Sequence, residues 1–153
     1  MTAVFTHPVQ VRYHEIDQQG VVFNMWYLAY LDEAMSAFIE ANGLAYTHLQ
    51  DDGFDVQLVH TELDWTSALR FGEAAGVTVA VATVGNTSFA LDFTVRQGDR
   101  TACTARTVYV CVALDGTGKQ PLPALLRRAL TAGRSSQPVE REPQGALREV
   151  GDA

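Results

Sequence analysis

The 153 residues are 47% hydrophobic and 19% charged, the balance of an ordinary soluble chain long enough to bury one domain's core. No run reaches the roughly 18 apolar residues of a membrane span, and the start, MTAVFTHPVQ, lacks the basic end and apolar block of a secretory leader. The net charge of −7 argues against nucleic acid as a partner and requires any polyanionic ligand to find local basic groups.

In chain order, residues 4–13 (VFTHPVQVRY) predict a short strand, with Pro8 near an edge because it cannot donate to a ladder. His14 to Phe23 shows no period and reads as irregular. From Met25 the apolar residues Tyr27, Leu28, Leu31, Ala34, Met35, Phe38 and Ile39 recur at three and four, the spacing of a helix with a wide apolar stripe. Asn24 is expected to be its N-cap, the side-chain oxygen accepting from an N–H two or three residues on, and Gly43 the glycine that ends it. Beyond Asp51-Asp52-Gly53 the pattern turns to strands: 54–69, an almost continuous apolar run at 74–84, then an alternating segment from Phe89 to Arg96, and 101–114. Gly85-Asn86 and Gly98-Asp99 suit hairpin turns. One long helix followed by an antiparallel meander gives an α+β layout, in which sheet and helix cover each other's apolar faces.

Residues 119–130 (KQPLPALLRRAL) predict a short closing helix, so that 1–130 form the domain. From Thr131 the Gly-, Ser-, Pro- and charge-rich remainder, 131–153, reads as a disordered tail. Cys103 and Cys111 share one predicted strand, too far apart to pair. With two cysteines and no leader, the expected location is the cytoplasm.

The run Arg12-Tyr13-x-x-x-Asp17-x-x-Gly20-Val21-Val22-Phe23-x-x-x-Tyr27-Leu28 resembles the signature of the 4-hydroxybenzoyl-CoA thioesterase family of hotdog-fold proteins. Downstream, ELDWTSALRFGEAAGVTVAVATVGNTSFALDF is similar to that family's second and third strands, and Pro121-Leu122-Pro123 to its usual ending. The likeness covers roughly residues 5–130. It implies a long central helix wrapped by a strongly curved antiparallel sheet of five or so strands. It also implies homodimers whose sheets join, with active sites at the interface, and a possible tetramer as a dimer of dimers. The implied activity is hydrolysis of acyl thioesters of coenzyme A or of acyl carrier protein, with no cofactor and no metal.

Asp17 lies seven residues before Asn24, where the helix is about to expose unpaired N–H donors and about half a positive charge. Thioester hydrolysis builds negative charge on the carbonyl oxygen, and one donor aimed at it contributes about 2.7–4 kcal/mol. A carboxylate beside that donor completes the machinery, attacking the carbonyl carbon or deprotonating a water that does. By resemblance, Asp17 is the catalytic base or nucleophile and the Asn24 backbone N–H the oxyanion donor. Gly20 permits the tight turn between them, and Tyr27 braces the helix end and borders the thioester. Many relatives carry His or Tyr at the position of Asn24; a backbone donor tolerates that change, whereas a side-chain general acid would not. Spacing alone would make Asp17 a turn-capping carboxylate; the surrounding block outweighs that reading.

Asp32 and Glu33 form the competing, helix-borne pair of carboxylates. Asp32 shares a face with Leu28 and Met35, toward the implied acyl pocket, where it could bond a polar acyl tail. His60 begins the family's acyl-lining strand. Thr87 and Ser88 follow the Gly85-Asn86 turn, near the implied pantetheine arm. That turn is basic in several relatives and neutral here, leaving phosphate contacts to Arg70, Arg96, Arg100, Arg106, Lys119, Arg127 or Arg128, among which the sequence does not choose. His14 and His60 lack metal-ligand spacing. Two alternatives stand beside the acyl-CoA thioesterase: an acyl-carrier-protein thioesterase, and a non-catalytic module that binds acyl-CoA. No His follows Asp17 before His48, which argues against hydratase chemistry on the same fold.

Overall fold

Helix α1 (Met25–Ala41) forms where the three-and-four spacing predicts it and buries Tyr27, Tyr30, Leu31, Ala34, Met35, Phe38 and Ile39. Burying each large apolar side chain contributes about 1.5–3 kcal/mol, so this stripe, not helix propensity, holds α1 in place. Gly43 closes it at φ +100°, a left-handed backbone that glycine adopts without a Cβ clash. The other end corrects one expectation. Asn24 already has helical backbone angles (φ −53°, ψ −34°) and makes no side-chain capping bond. The carbonyl of Phe23 accepts from the Trp26 N–H at 3.0 Å instead, so helical geometry begins a residue early and the Asn24 amide is not needed as a cap.

The computed structural model describes residues 4–135. Around α1 curls one antiparallel sheet, built from β1 (Thr6–Val9), β2 (Phe54–Trp65), β3 (Ala75–Val84), β4 (Ser88–Gln97), β5 (Arg100–Ala113) and the two-residue β6 (Gly118–Lys119). The order across the sheet is β1-β3-β4-β5-β2, with β6 pairing off β5. Inward positions alternate as the sequence pattern requires: Phe89, Leu91, Phe93 and Val95 face Tyr109, Thr107, Ala105 and Cys103, all buried. This is the hotdog arrangement, α+β, that the resemblance implies. Cys103 and Cys111 are both buried and free, and burial pushes the Cys103 thiol up to about 11.

Three element boundaries differ from expectation. The first strand is only Thr6–Val9, because Tyr13–Glu15 coil into a 3-10 turn. The second stops at Trp65, where Thr66 and Ser67 turn both their N–H groups to the Ala102 carbonyl and both hydroxyls to that of Thr101. Between α1 and β2 the short α2 (Tyr46–Asp51) was not foreseen; six residues give too little period to read. The closing helix α3 (Ala124–Ser135) runs five residues past Leu130, so the expected domain boundary at 130 falls inside it. The rest of the expected tail, residues 136–153, lies outside the described residues.

Candidate active site

The irregular segment before α1 is a hairpin folded back on the helix. Its ends meet where Ile16 bridges Val22 and the Phe23 N–H donates to the Glu15 carbonyl at 2.9 Å. At its tip Asp17 donates its N–H to the Val21 carbonyl at 2.9 Å, and its own carbonyl accepts from Gly20 at 3.0 Å. Gly20 has φ +76°, so the turn sits in the conformation that favours glycine. The half-buried Asp17 carboxylate accepts the Gln19 N–H at Oδ1, 2.8 Å. Its other oxygen accepts no hydrogen bond among the described residues. A local turn role and a free reacting oxygen thus coexist on one side chain.

Two further supports hold the hairpin. The Val22 N–H donates to the Leu69 carbonyl at 3.0 Å, and the Leu69 N–H donates to the Tyr27 hydroxyl at 3.1 Å. Gln97, itself buried, knits the β2–β3 loop that carries Leu69. Its amide donates to the carbonyls of Arg70 and Glu73, and its oxygen accepts the Arg70 N–H at 2.8 Å. Tyr27 is 1% exposed, so it has no surface left to border a thioester in this chain.

At the helix start, none of the backbone bonds uses the N–H of Asn24 or of Met25. These donors lie beside an exposed apolar strip of Phe23, Met25 and Leu28. Asp32 continues that strip one turn on and is exposed. Its carboxyl is pushed above the usual aspartate range, by burial of the carboxyl first and then by the neighbouring Glu33. Beneath lies Tyr109, stacked on Phe89 with ring centres 5.2 Å apart. Its hydroxyl is buried without a hydrogen-bond partner among the described residues. Burial, and then the Asp32 charge, pushes that phenol up. The sequence pattern marked Tyr109 only as a strand residue.

Other expected site residues fall elsewhere. His60 was expected on the acyl-lining face, but a one-residue bulge between Leu58 and His60 reverses the alternation. Leu58 pairs with the inward Tyr109, and His60 with Val108 on the face away from α1, where it lies 3.2 Å from Glu62. Thr87 and Ser88 stand at the far end of the sheet. Ser88 is level with Val110 and Gln57, whereas the Asp17 hairpin hangs from the end at Val95, Cys103 and Trp65. A strand length of about 23 Å separates the two ends. Within one chain, therefore, the hairpin of Asp17 and Gly20 leads into the helix start at Asn24, Tyr27 holds the same Leu69 segment that holds the hairpin, and Thr87 and Ser88 do not join them.

The arginines now sort themselves. Arg106 forms a two-pronged ion pair with Asp92 at 2.7 and 2.8 Å, on the outer face. Arg100 holds the Ala68 carbonyl, Gln97 and Glu73. Arg96 lines a shallow outer groove of about 360 Å³ with Thr6, Pro8, Gly76 and Thr78. Arg127 alone of these is anchored at the Thr87 turn, its guanidinium donating to the Gly85 carbonyl at 2.9 Å. No cluster of three metal-ligating side chains occurs among the described residues, and no helix among them is long and apolar enough to cross a membrane.

The profile of the Thioesterase-like superfamily matches residues 11–130. Over 119 residues the chain is 26% identical to a 1,4-dihydroxy-2-naphthoyl-CoA hydrolase of Synechococcus elongatus, covering 76% of this chain and 88% of that one. A 1,4-dihydroxy-2-naphthoyl-CoA thioesterase from Synechocystis has a similar structure, with a TM-score of 0.76 at 26% identity over 84% of this chain and 96% of that one. A Thermus thermophilus protein described as hypothetical gives 0.78 at 28%, over 82% and 96%. With a match across most of its length and the same architecture around the same helix, the chain belongs to the Thioesterase-like superfamily.

Proposed function

We propose that this protein hydrolyses an acyl-CoA thioester to the free acid and CoA, with Asp17 as base or nucleophile. The observation that carries this reading is the hairpin itself. It sets a carboxylate with one uncommitted oxygen on the turn that leads into a helix start whose first N–H groups no backbone bond among the described residues uses. The thioester carbonyl sits with its oxygen toward the Asn24 N–H, and its carbon is met by Asp17 or by a water that Asp17 deprotonates. As the tetrahedral centre collapses, the C–S bond breaks and the CoA thiolate takes the proton that Asp17 removed from the water; on the nucleophilic route the thiolate leaves an Asp17–acyl anhydride, which water then hydrolyses to the free acid, supplying the thiol's proton. The positive helix end favours both the ionised carboxylate and the developing oxyanion.

The site is completed by a second copy of the chain. Strand β2 is the outer strand of the sheet and exposes Leu58, Val59 and Trp65. Antiparallel pairing of two β2 edges lays opposite ends of the two sheets side by side. The Thr87–Ser88 turn of one copy, with Arg127 on it, then approaches the Asp17 hairpin of the other. This supports a homodimer with Thr87, Ser88 and Arg127 along the CoA arm, and a tetramer as a pair of such dimers. The exposed strip of Phe23, Met25 and Leu28 forms the acyl wall. Asp32 and the Tyr109 hydroxyl are the polar groups near it, and they favour an acyl group that carries a hydroxyl, such as a hydroxylated aromatic acid.

Asp17→Asn keeps the hydrogen bond to Gln19 and removes the charge, so it should abolish nearly all turnover while leaving fold and assembly intact. Thiol release from aromatic, short and long acyl-CoA thioesters, each with and without a hydroxyl, measures both claims. Hydrolysis by Asp17→Asn at the wild-type rate would reject the catalytic assignment, and a preference for unsubstituted long chains would reject the substrate class. A faster rate on matched carrier-protein thioesters would replace CoA as the donor.

A further inference from the structure

We propose that the buried Glu15–Tyr30 pair positions the reacting carboxylate, by fixing the Asp17 hairpin to the same helix that supplies the oxyanion donors; this rests on Asp17 being the reacting group. Glu15 is 6% exposed and is the one buried carboxylate among the described residues. A carboxylate out of water costs several kcal/mol unless its lone pairs are satisfied, so its retention calls for a reason. Its Oε2 accepts both the Arg12 N–H at 2.9 Å and the Tyr30 hydroxyl. Its backbone carbonyl accepts the Phe23 N–H on the returning arm of the hairpin. One residue therefore ties the first turn of the loop, its return and the second turn of α1, two positions before Asp17.

Tyr30 is suited to be the fixed end of that tie. It is buried among the residues that lock the rotation of α1, next to Leu31, Ala34 and Tyr27. Burial and then the Glu15 charge push its phenol up, so it remains a proton donor. Charge-assisted bonds of this kind are roughly twice as strong as neutral ones. The geometric need is plain: a catalytic group must stay within about 0.5 Å of its productive place, and a displacement of about 1 Å can cost a hundredfold. The carboxylate is on a loop and the N–H donors are on a helix. Glu15–Tyr30 refers both to one frame, while the Leu69 bonds to Val22 and Tyr27 hold the hairpin from its other side.

The test uses the full-length protein and whichever thioester of the panel has the highest kcat/KM. Tyr30→Phe should lower kcat by about 10- to 100-fold with KM within about twofold, and melting should show the variant folded. Glu15→Ala should lose as much or more, and Glu15→Gln, whose amide oxygen can accept both donors, should recover most of the loss. In an Asp17→Asn background Tyr30→Phe should cost less than about threefold further, since groups acting as one unit are not additive. A folded Tyr30→Phe with wild-type kcat, or an equal loss in both backgrounds, overturns the positioning role and leaves Asp17 untouched. An active Asp17→Asn instead overturns the catalytic reading itself, and this proposal with it. Should Glu15→Ala fail to fold, Tyr30→Phe and Glu15→Gln still decide the matter.

Discussion

Asp17, half-buried, and Asp32, exposed, are carboxylates near one helix, yet their surroundings ask different things of them. Asp17 has a backbone N–H on one oxygen and nothing on the other, which leaves a lone pair available for chemistry. Asp32 has no hydrogen bond to repay its burial and a like charge beside it in Glu33, so its ionised form is penalised in the folded chain. The sign of the pH effect follows. Between the unfolded pKa, about 3.9, and the raised folded value, the folded state holds more protons, so stability falls as pH rises through that window and the penalty persists above it. Asp32→Asn should therefore melt higher than the wild type at pH 7. The gap should close as the pH is lowered to about 4, and calorimetry across that range checks it.

At the scale of elements, what was legible in the sequence depended on whether a residue's role was set by period or by position. Alternation in β4 and most of the spacing in α1 placed their side chains correctly, because each obeys a local repeat that tertiary packing reinforces; Leu28, read in the stripe, is exposed, and Tyr30, left out of it, is buried. His60 was misplaced because a single extra residue at Val59 inverts every later side chain of β2, and a bulge has no compositional mark here. The Asp17 block was read from its residue order, whereas its supports, Glu15 and Tyr30, are fifteen positions apart and meet only once the hairpin lies on the helix. The stretch from Thr131 misled in the opposite direction: by composition it reads as a loose tail, but residues 131–135 continue α3, where Gly133 packs against Phe38 of α1. An added Cβ would lie 2.3 Å from Cζ of Phe38, a ring that is itself buried. Helix propensity alone would favour alanine there by about 1 kcal/mol, whereas overpacking costs about 1–3 kcal/mol. Gly133→Ala should thus destabilise the protein, by up to about 2 kcal/mol in urea unfolding. A gain would mean that the two helices are free to move apart.

Viewed as a whole molecule, one protomer is, on the proposed reading, an incomplete enzyme. Its sheet ends in β2, a twelve-residue outer strand with Leu58 47% and Val59 55% exposed, and an uncovered apolar edge of that length invites pairing. The two halves of the proposed CoA site lie at opposite ends of the sheet, and only a two-fold partner along β2 brings them together. Assembly and activity should then fail jointly. Leu58→Glu places a charge on the helix-facing side of this edge in both copies, so each dimer of this kind would bury two like charges at the contact. Light scattering on a sizing column should show the mass falling from about twice 16.7 kDa toward that of one chain. Turnover should fall with it even though Leu58 is remote from Asp17 in the protomer. Circular dichroism would separate this from unfolding, since Leu58 is exposed in the single chain and its replacement leaves the core alone. A dimeric and active Leu58→Glu would move the interface elsewhere, and with it the proposal that Thr87, Ser88 and Arg127 of one copy serve the Asp17 of the other.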